Sequence, residues 1–277
     1  MSNIMIQLQN SSFIYRDKLS IPRKVNFGLE LELDKVDNEE VSKLIKSRVG
    51  GNYNVKEDKS LTKGSNAEIT TPVLQNEKDT WIALKRIGEL LEKLNPSYDK
   101  CSFQVNFDGS LLPTIEDRVR FLKLYAMYED IIYRFSKGED SNYRDSLETY
   151  AAPIILTLKG ALTINNNAVV DMFSNQKRYG ITFKNNGCDL IEFRTPNMSN
   201  NPIYWQNYIN TFYYLLRVVT SGKYNRKEVD EYIDIFNRTY ILEAYERENC
   251  DKALKFCKTI FPQTTDTTNF MHQYLGK

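Results

Sequence analysis

The sequence predicts an α+β fold, a mainly antiparallel sheet covered on one face by helices. Three observations carry this expectation. Stretches at 25–33, 103–107 and 190–194 alternate apolar and polar residues with a period of two, as half-buried strands do. "RYGITFKNNGCDLIEFRTP" reads as a β-hairpin turning around Asn185 to Gly187. Amphipathic helical patterns stand between and after these strands, which arrive mostly as hairpins or with alternating patterns.

Taken in order, the first two dozen residues read as an entry strand and a polar loop. "VNFGLELEL" is a strand with Phe27, Leu29, Leu31 and Leu33 on one face. "VDNEEVSKLIKSRVGG" is a helix capped by Asp37 or Asn38 and stopped at Gly50–Gly51. "NYNVKED" and "NAEITTPVL" form two strands joined by the turn-rich "KSLTKGS". A helix follows with Trp81, Leu84, Ile87, Leu90, Leu91 and Leu94 along one side. "CSFQVNF" is the next strand, and "TIEDRVRFLKLYAMYEDIIYRF" the longest helical pattern. Residues 151–178 are partly helical, ahead of the hairpin. "PIYWQNYINTFYYLLRVV", "RKEVDEYIDIFN" and "YILEAYERENCDKALKFCKTIF" are helices, with "TTNFMHQYLGK" as a polar tail. The expected organisation is a main domain over 1–222 and a helical C-terminal extension over 223–277.

Composition narrows the function classes. The chain has 277 residues, 41% hydrophobic and 26% charged, which suits an ordinary globular protein. A formal net charge of +1 offers no global electrostatic case for nucleic acid or an anionic membrane. No apolar run reaches the ~18 residues a spanning helix needs. The first residues lack a basic stretch followed by an apolar one, so no signal peptide is expected and the expected location is cytoplasmic. The cysteines, Cys101, Cys188, Cys250 and Cys257, match neither zinc nor redox spacing and read as free, mostly buried thiols. With His272 as the single histidine, a His-rich zinc site is excluded, and chemistry falls to carboxylates, Lys, Arg, amides or backbone.

The polar faces of the strands supply such groups. The first strand gives Glu30 and Glu32, "NAEITTP" gives Glu68, "SFQVNF" gives Gln104 and Asn106, and "DLIEFRTP" gives Glu192 and Arg194. On neighbouring strands these form one surface of four carboxylates and a guanidinium. Carboxylates brought together need a hard cation such as Mg²⁺ or Mn²⁺ to offset their repulsion, and an arginine beside them suits a phosphate oxygen. Metal plus arginine is a phosphoryl-transfer set. Each pair alone reads as a solvated sheet face; the repeated polarity split over four strands is what favours a site. Trp81, Trp205 and the Tyr-rich helix read as core packing rather than a ligand stack.

The ordered set "FGLELEL", "EDKSL…AEITTPVL", "SFQVNF", "NYRDSLETYAAP" and "DLIEFRTPN" resembles the amidoligase family, relatives of glutamine synthetase and glutamate–cysteine ligase. The resemblance spans about residues 25–220. It implies a curved, glutamine synthetase-like sheet and an ATP-dependent carboxylate–amine ligase acting through an acyl phosphate on a peptide or amino-acid-like substrate. Its implied partners are ATP and a carboxylate–amine pair, with peptides and proteins among the candidates, and no nucleic acid and no membrane. Glu30, Glu32, Glu68, Gln104 and Glu192 then resemble metal ligands for Mg²⁺ or Mn²⁺. Arg144 and Arg194 resemble phosphate-facing arginines, and Glu192 joins them in catalysis. Asp58 and Ser60 match D-x-S; Lys63 in that loop and Asn106 are implied nucleotide contacts. Where the family carries H-x-H this chain has Gln104 and Asn106, neutral amides in place of imidazoles. That departure leaves open a second reading, a catalytically degenerate binding protein, and behind it another ATP-dependent phosphotransferase.

Overall fold

A computed structural model describes residues 13–140, 142–185, 187–237, 245 and 247–276. The expected entry strand lies partly at 1–12, outside the described residues; residues 13–24 form loop and turn. The start of the expected helix at 240–261 is likewise outside them.

The strands are β1 (Phe27–Asp34), β2 (Asn54–Lys56), β3 (Asn66–Thr70), β4 (Phe103–Asp108), β5 (Ile181–Lys184) and β6 (Leu190–Phe193). They form one six-stranded sheet in the order β2-β3-β1-β4-β6-β5, and every pairing is antiparallel. The α+β expectation therefore holds. Register puts Glu32 opposite Glu68, Glu30 opposite Gln104, and Asn106 opposite Glu192. All the polar-face residues thus share one side, because a strand sends alternate side chains to opposite faces.

The other side is the core. Leu29, Leu31, Ile69, Phe103, Val105, Phe107, Ile191 and Phe193 are completely buried. The helices are α1 (Asn38–Arg48), α2 (Lys78–Leu94), α3 (Ile115–Met127), α4 (Glu129–Ser136), α5 (Leu147–Tyr150), α6 (Ile155–Leu162), α7 (Asn166–Met172), α8 (Pro202–Thr220), α9 (Arg226–Ile235), α10 (Cys250–Ile260) and α11 (Thr264–Tyr274). Asp37 caps α1, accepting from the Glu39 and Glu40 N–H groups. Helix α8 lies against the apolar sheet face: Phe212 stacks on Phe193 at 4.1 Å, and Trp205 on Phe103 at 5.7 Å. The tryptophans and the Tyr-rich helix are core, as expected.

Two expectations need correction. The pattern 114–135 is two helices, α3 and α4, broken at Tyr128, so the 19-residue α8 is longer than either. The break accompanies Glu129, which is completely buried and accepts from the Ile154 and Ile155 N–H groups at the start of α6. The "polar tail" is the helix α11, and its Asp266, Asn269, His272 and Gln273 are buried. Polar residues line this buried face because each of several finds a partner. Asp266 accepts from Arg16 and Ser20, and Gln273 joins Asn207 to the Phe135 carbonyl. The cysteines are free, though only Cys101 and Cys257 are buried.

Candidate functional site

A cleft of about 730 Å³ opens over the polar sheet face, within the range of about 300–1,000 Å³ for ligand sites. Glu30, Glu32, Glu68, Gln104, Arg144 and Arg194 line it. Glu192 is completely buried beneath, beside Asn106. Lys63 is exposed and is not part of the lining, which takes Lys56 from the end of β2 and Lys59 from the loop after it instead.

Each carboxylate has acquired partners from the protein. Glu32 accepts from the Ser102 N–H at 2.7 Å and from Gln104 Nε2 at 2.8 Å. Burial raises the Glu32 pKa, opposed by Ser102. Gln104 is fully engaged: its amide nitrogen serves Glu32 and Ser102, and its oxygen accepts from Arg194 Nη1 at 2.9 Å. Arg194 Nη1 also donates to Glu192 Oε1 at 2.6 Å, and Nε to the Tyr150 carbonyl at 3.0 Å. A continuous chain therefore runs Glu32–Gln104–Arg194–Glu192 across three strands. It fixes the guanidinium with charge-assisted bonds.

Lysines hold the remaining acids. Glu30 Oε1 accepts from Asn106 Nδ2 at 3.0 Å and Lys184 Nζ at 3.1 Å. Burial pushes Glu30 up, but Lys184 and Asn106 together carry its carboxyl below the usual range. Lys184 also contacts Glu192 Oε2, and its pKa is raised because these two acids outweigh burial. Glu68 pairs with Lys56 at 2.9 Å. Its pKa is raised by burial, against Lys56 and with help from Glu30 and Asp58. The Lys56 side chain is 56% exposed, whereas that of Lys184 is 32% exposed. The first is an easily displaced surface partner; the second is built into the floor.

Arg144 is a different kind of arginine from Arg194. Its Nη1 donates to the carbonyls of Thr195 and Pro196 at 2.8 and 3.1 Å, and Nη2 to that of Arg194 at 2.7 Å. It clamps the chain leaving β6, and its buried Nε has no hydrogen-bond partner. Burial lowers its pKa to about 10, opposed by the nearby Glu32. Asp58 accepts from the Ser60 N–H and hydroxyl, both at 2.7 Å, and so shapes its loop. Both residues also line the cleft.

Lys56 and Lys184 were missed by sequence reasoning. The signal was present: Asn54 and Lys56, and Thr182 and Lys184, continue the same alternation onto the outer strands. Among the described residues no three Asp, Glu, His or Cys side chains form a group able to hold a metal ion. A closed, protein-only metal cage does not fit this floor. A Mg²⁺ ion that arrives bound to phosphates takes only one or two carboxylates and keeps waters, so a single rim carboxylate would be enough to hold one. Glu68, with its displaceable lysine, is the residue suited to that role. No protein-family model matches the chain, and neither does any curated protein.

Proposed function

We propose that this chain is an ATP-dependent carboxylate–amine ligase with a glutamine synthetase-like sheet, working in the cleft over β1, β3, β4 and β6. The observation that carries the reading is the convergence of Glu30, Glu32, Glu68, Gln104, Arg144 and Arg194 on one cleft wall. The motifs are scattered from 30 to 194 in sequence. Antiparallel register gathers the strand residues, and hydrogen bonds to the carbonyls of 194–196 bring in Arg144.

In this reading a substrate carboxylate takes the γ-phosphoryl group of ATP, and an amine then displaces phosphate from the acyl phosphate. Mg²⁺ entering with the nucleotide would be held by Glu68 and would neutralise phosphate charge. Arg194, immobilised by Gln104, Glu192 and the Tyr150 carbonyl, supplies a fixed cation for the transferred group without reorganising. Arg144 holds the Arg194 backbone in place, and its guanidinium adds positive charge beside the cleft. Exposed Lys59, Lys100 and Lys177 on the cleft wall favour entry of an anionic substrate.

Calorimetry of ATP binding with and without Mg²⁺ tests this. Wild type is expected to bind ATP in a Mg²⁺-dependent way. Glu68→Gln, with unchanged circular dichroism, is expected to weaken that binding at least tenfold. Absence of any ATP binding in folded wild type sinks the ligase. A specific observation favours a second reading, a binding protein on the same fold: the floor carboxylates are already paired with Lys184, Arg194, Ser102 and Gln104. Nucleotide binding without phosphate release, over a broad panel of amines and carboxylates, selects that alternative.

A further inference from the structure

Between β1 and β6, the cleft floor holds an arrangement of oxygen atoms that reads as a cradle for a cation. Glu192 is completely buried, and burying a carboxylate without a partner is costly. Glu30 approaches from β1. Asn106, on the strand between them, turns its Nδ2 to Glu30, which leaves Oδ1 buried without a hydrogen-bond partner. The two carboxylates meet at one point, the Lys184 ammonium, while the Asn106 oxygen nearby makes no bond to it; carboxylate and amide oxygens are the donors hard divalent ions accept.

That place is taken by the chain itself. Lys184 lies on the same sheet face as Glu192, two residues along β5 from Thr182, the register partner of Glu192. Its ammonium makes an ion pair with both Glu30 and Glu192. We propose that Lys184 is the resident cation of this cradle, so that Glu30, Glu192 and Asn106 bind no divalent ion while it is in place. A single tethered charge replaces a doubly charged exchangeable one. The carboxylate floor then stays compensated whether or not metal is present, and any metal the cleft uses enters on the nucleotide side, near Glu68. The inference stands apart from the ligase reading, because its test needs no nucleotide.

The probe is Mn²⁺ alone, titrated into the full chain and followed by electron paramagnetic resonance. Whatever Mn²⁺ wild type takes up is expected to be unaffected by Glu192→Gln. Lys184→Met is expected to gain a site at least tenfold tighter than any in wild type, and Glu192→Gln added to it should abolish that site. The proposal is overturned if wild-type Mn²⁺ binding weakens in Glu192→Gln, because the metal then displaces the lysine. It is equally overturned if folded Lys184→Met gains nothing, because the oxygen atoms are then no cation cradle. Should Lys184→Met fail to fold, the comparison of wild type with Glu192→Gln decides alone: dependence on Glu192 overturns the proposal, and independence supports it.

Discussion

At the scale of single residues, buried polar groups matter because each must find partners or destabilise the fold. Arg144 shows this. Its planar fork reaches three successive carbonyls, 194–196, at once. Lysine has no such fork, so Arg144→Lys leaves buried carbonyls short of donors. The expected loss is about 2–3 kcal/mol, read as a lower urea midpoint with an unchanged m-value. Glu129 gives a pH-dependent case. Burial raises its pKa to about 8, despite the Ile154 N–H and the Tyr245 hydroxyl that favour the charged form. An unfolded glutamate titrates near ~4.3. Between these values the folded chain binds the extra proton, so this contribution to stability is complete below the lower pKa and is lost as pH rises toward 8. Glu129→Gln removes the titration. Denaturant melts from pH 5 to 8 should therefore show wild type losing ground to the variant, by up to about 1.4 kcal/mol per pH unit. Parallel pH profiles for the two proteins refute the assignment.

Elements were legible to the extent that their period ran long enough to be read. Strand β1 spans eight residues, and its alternation announced both a core face and the acids Glu30 and Glu32. Strands β2 and β5 span three and four residues, too short for a period to stand out, so Lys56 and Lys184 were overlooked. Their partners on neighbouring strands reveal them only once register is known. The junction between α3 and α4 was hidden for another reason. Both halves carry good helical patterning, and the break follows from a distant contact, Glu129 reaching the start of α6. Distant contacts also decide the fate of Gly88 in α2. Alanine is favoured over glycine inside a helix by about 1 kcal/mol. Here a Cβ would stand 2.5 Å from Pro202 Cγ and 2.7 Å from the Asn200 carbonyl oxygen, at the entry to α8. Backbone and a proline ring give way poorly, so overpacking of about 1–3 kcal/mol outweighs propensity. Gly88→Ala is expected to lower the thermal midpoint; a rise would mean that α2 shifts freely from α8.

At the scale of the whole molecule, one sheet keeps two environments apart, aromatic packing below and a charge-compensated cleft above. The order of elements and the polar face could be read from sequence; the closing of the core by the last helix could not, because α11 buries Asp266, Asn269, His272 and Gln273 and so lacks an apolar stripe. Its apolar residues nevertheless reach the centre: Phe270 stacks on Phe135 of α4 at 4.4 Å and meets Phe256 of α10 at 5.2 Å. Asp266 in turn ties Arg16 and Ser20, from the start of the described chain, to the same helix. These contacts make α11 part of the core that backs the sheet through α8. Deleting residues 264–277 removes the buried Phe270, Met271 and Tyr274 and leaves their neighbours exposed. Phenylalanine loss alone costs about 3–5 kcal/mol in a packed interior, a large part of the ~5–15 kcal/mol that holds a domain folded. The expected outcome is a lower urea midpoint for the entire transition, followed by fluorescence of Trp205 and Trp81, with cleft ligands lost along with the fold. A truncated chain that melts at the wild-type midpoint would instead mark α11 as a separable appendage.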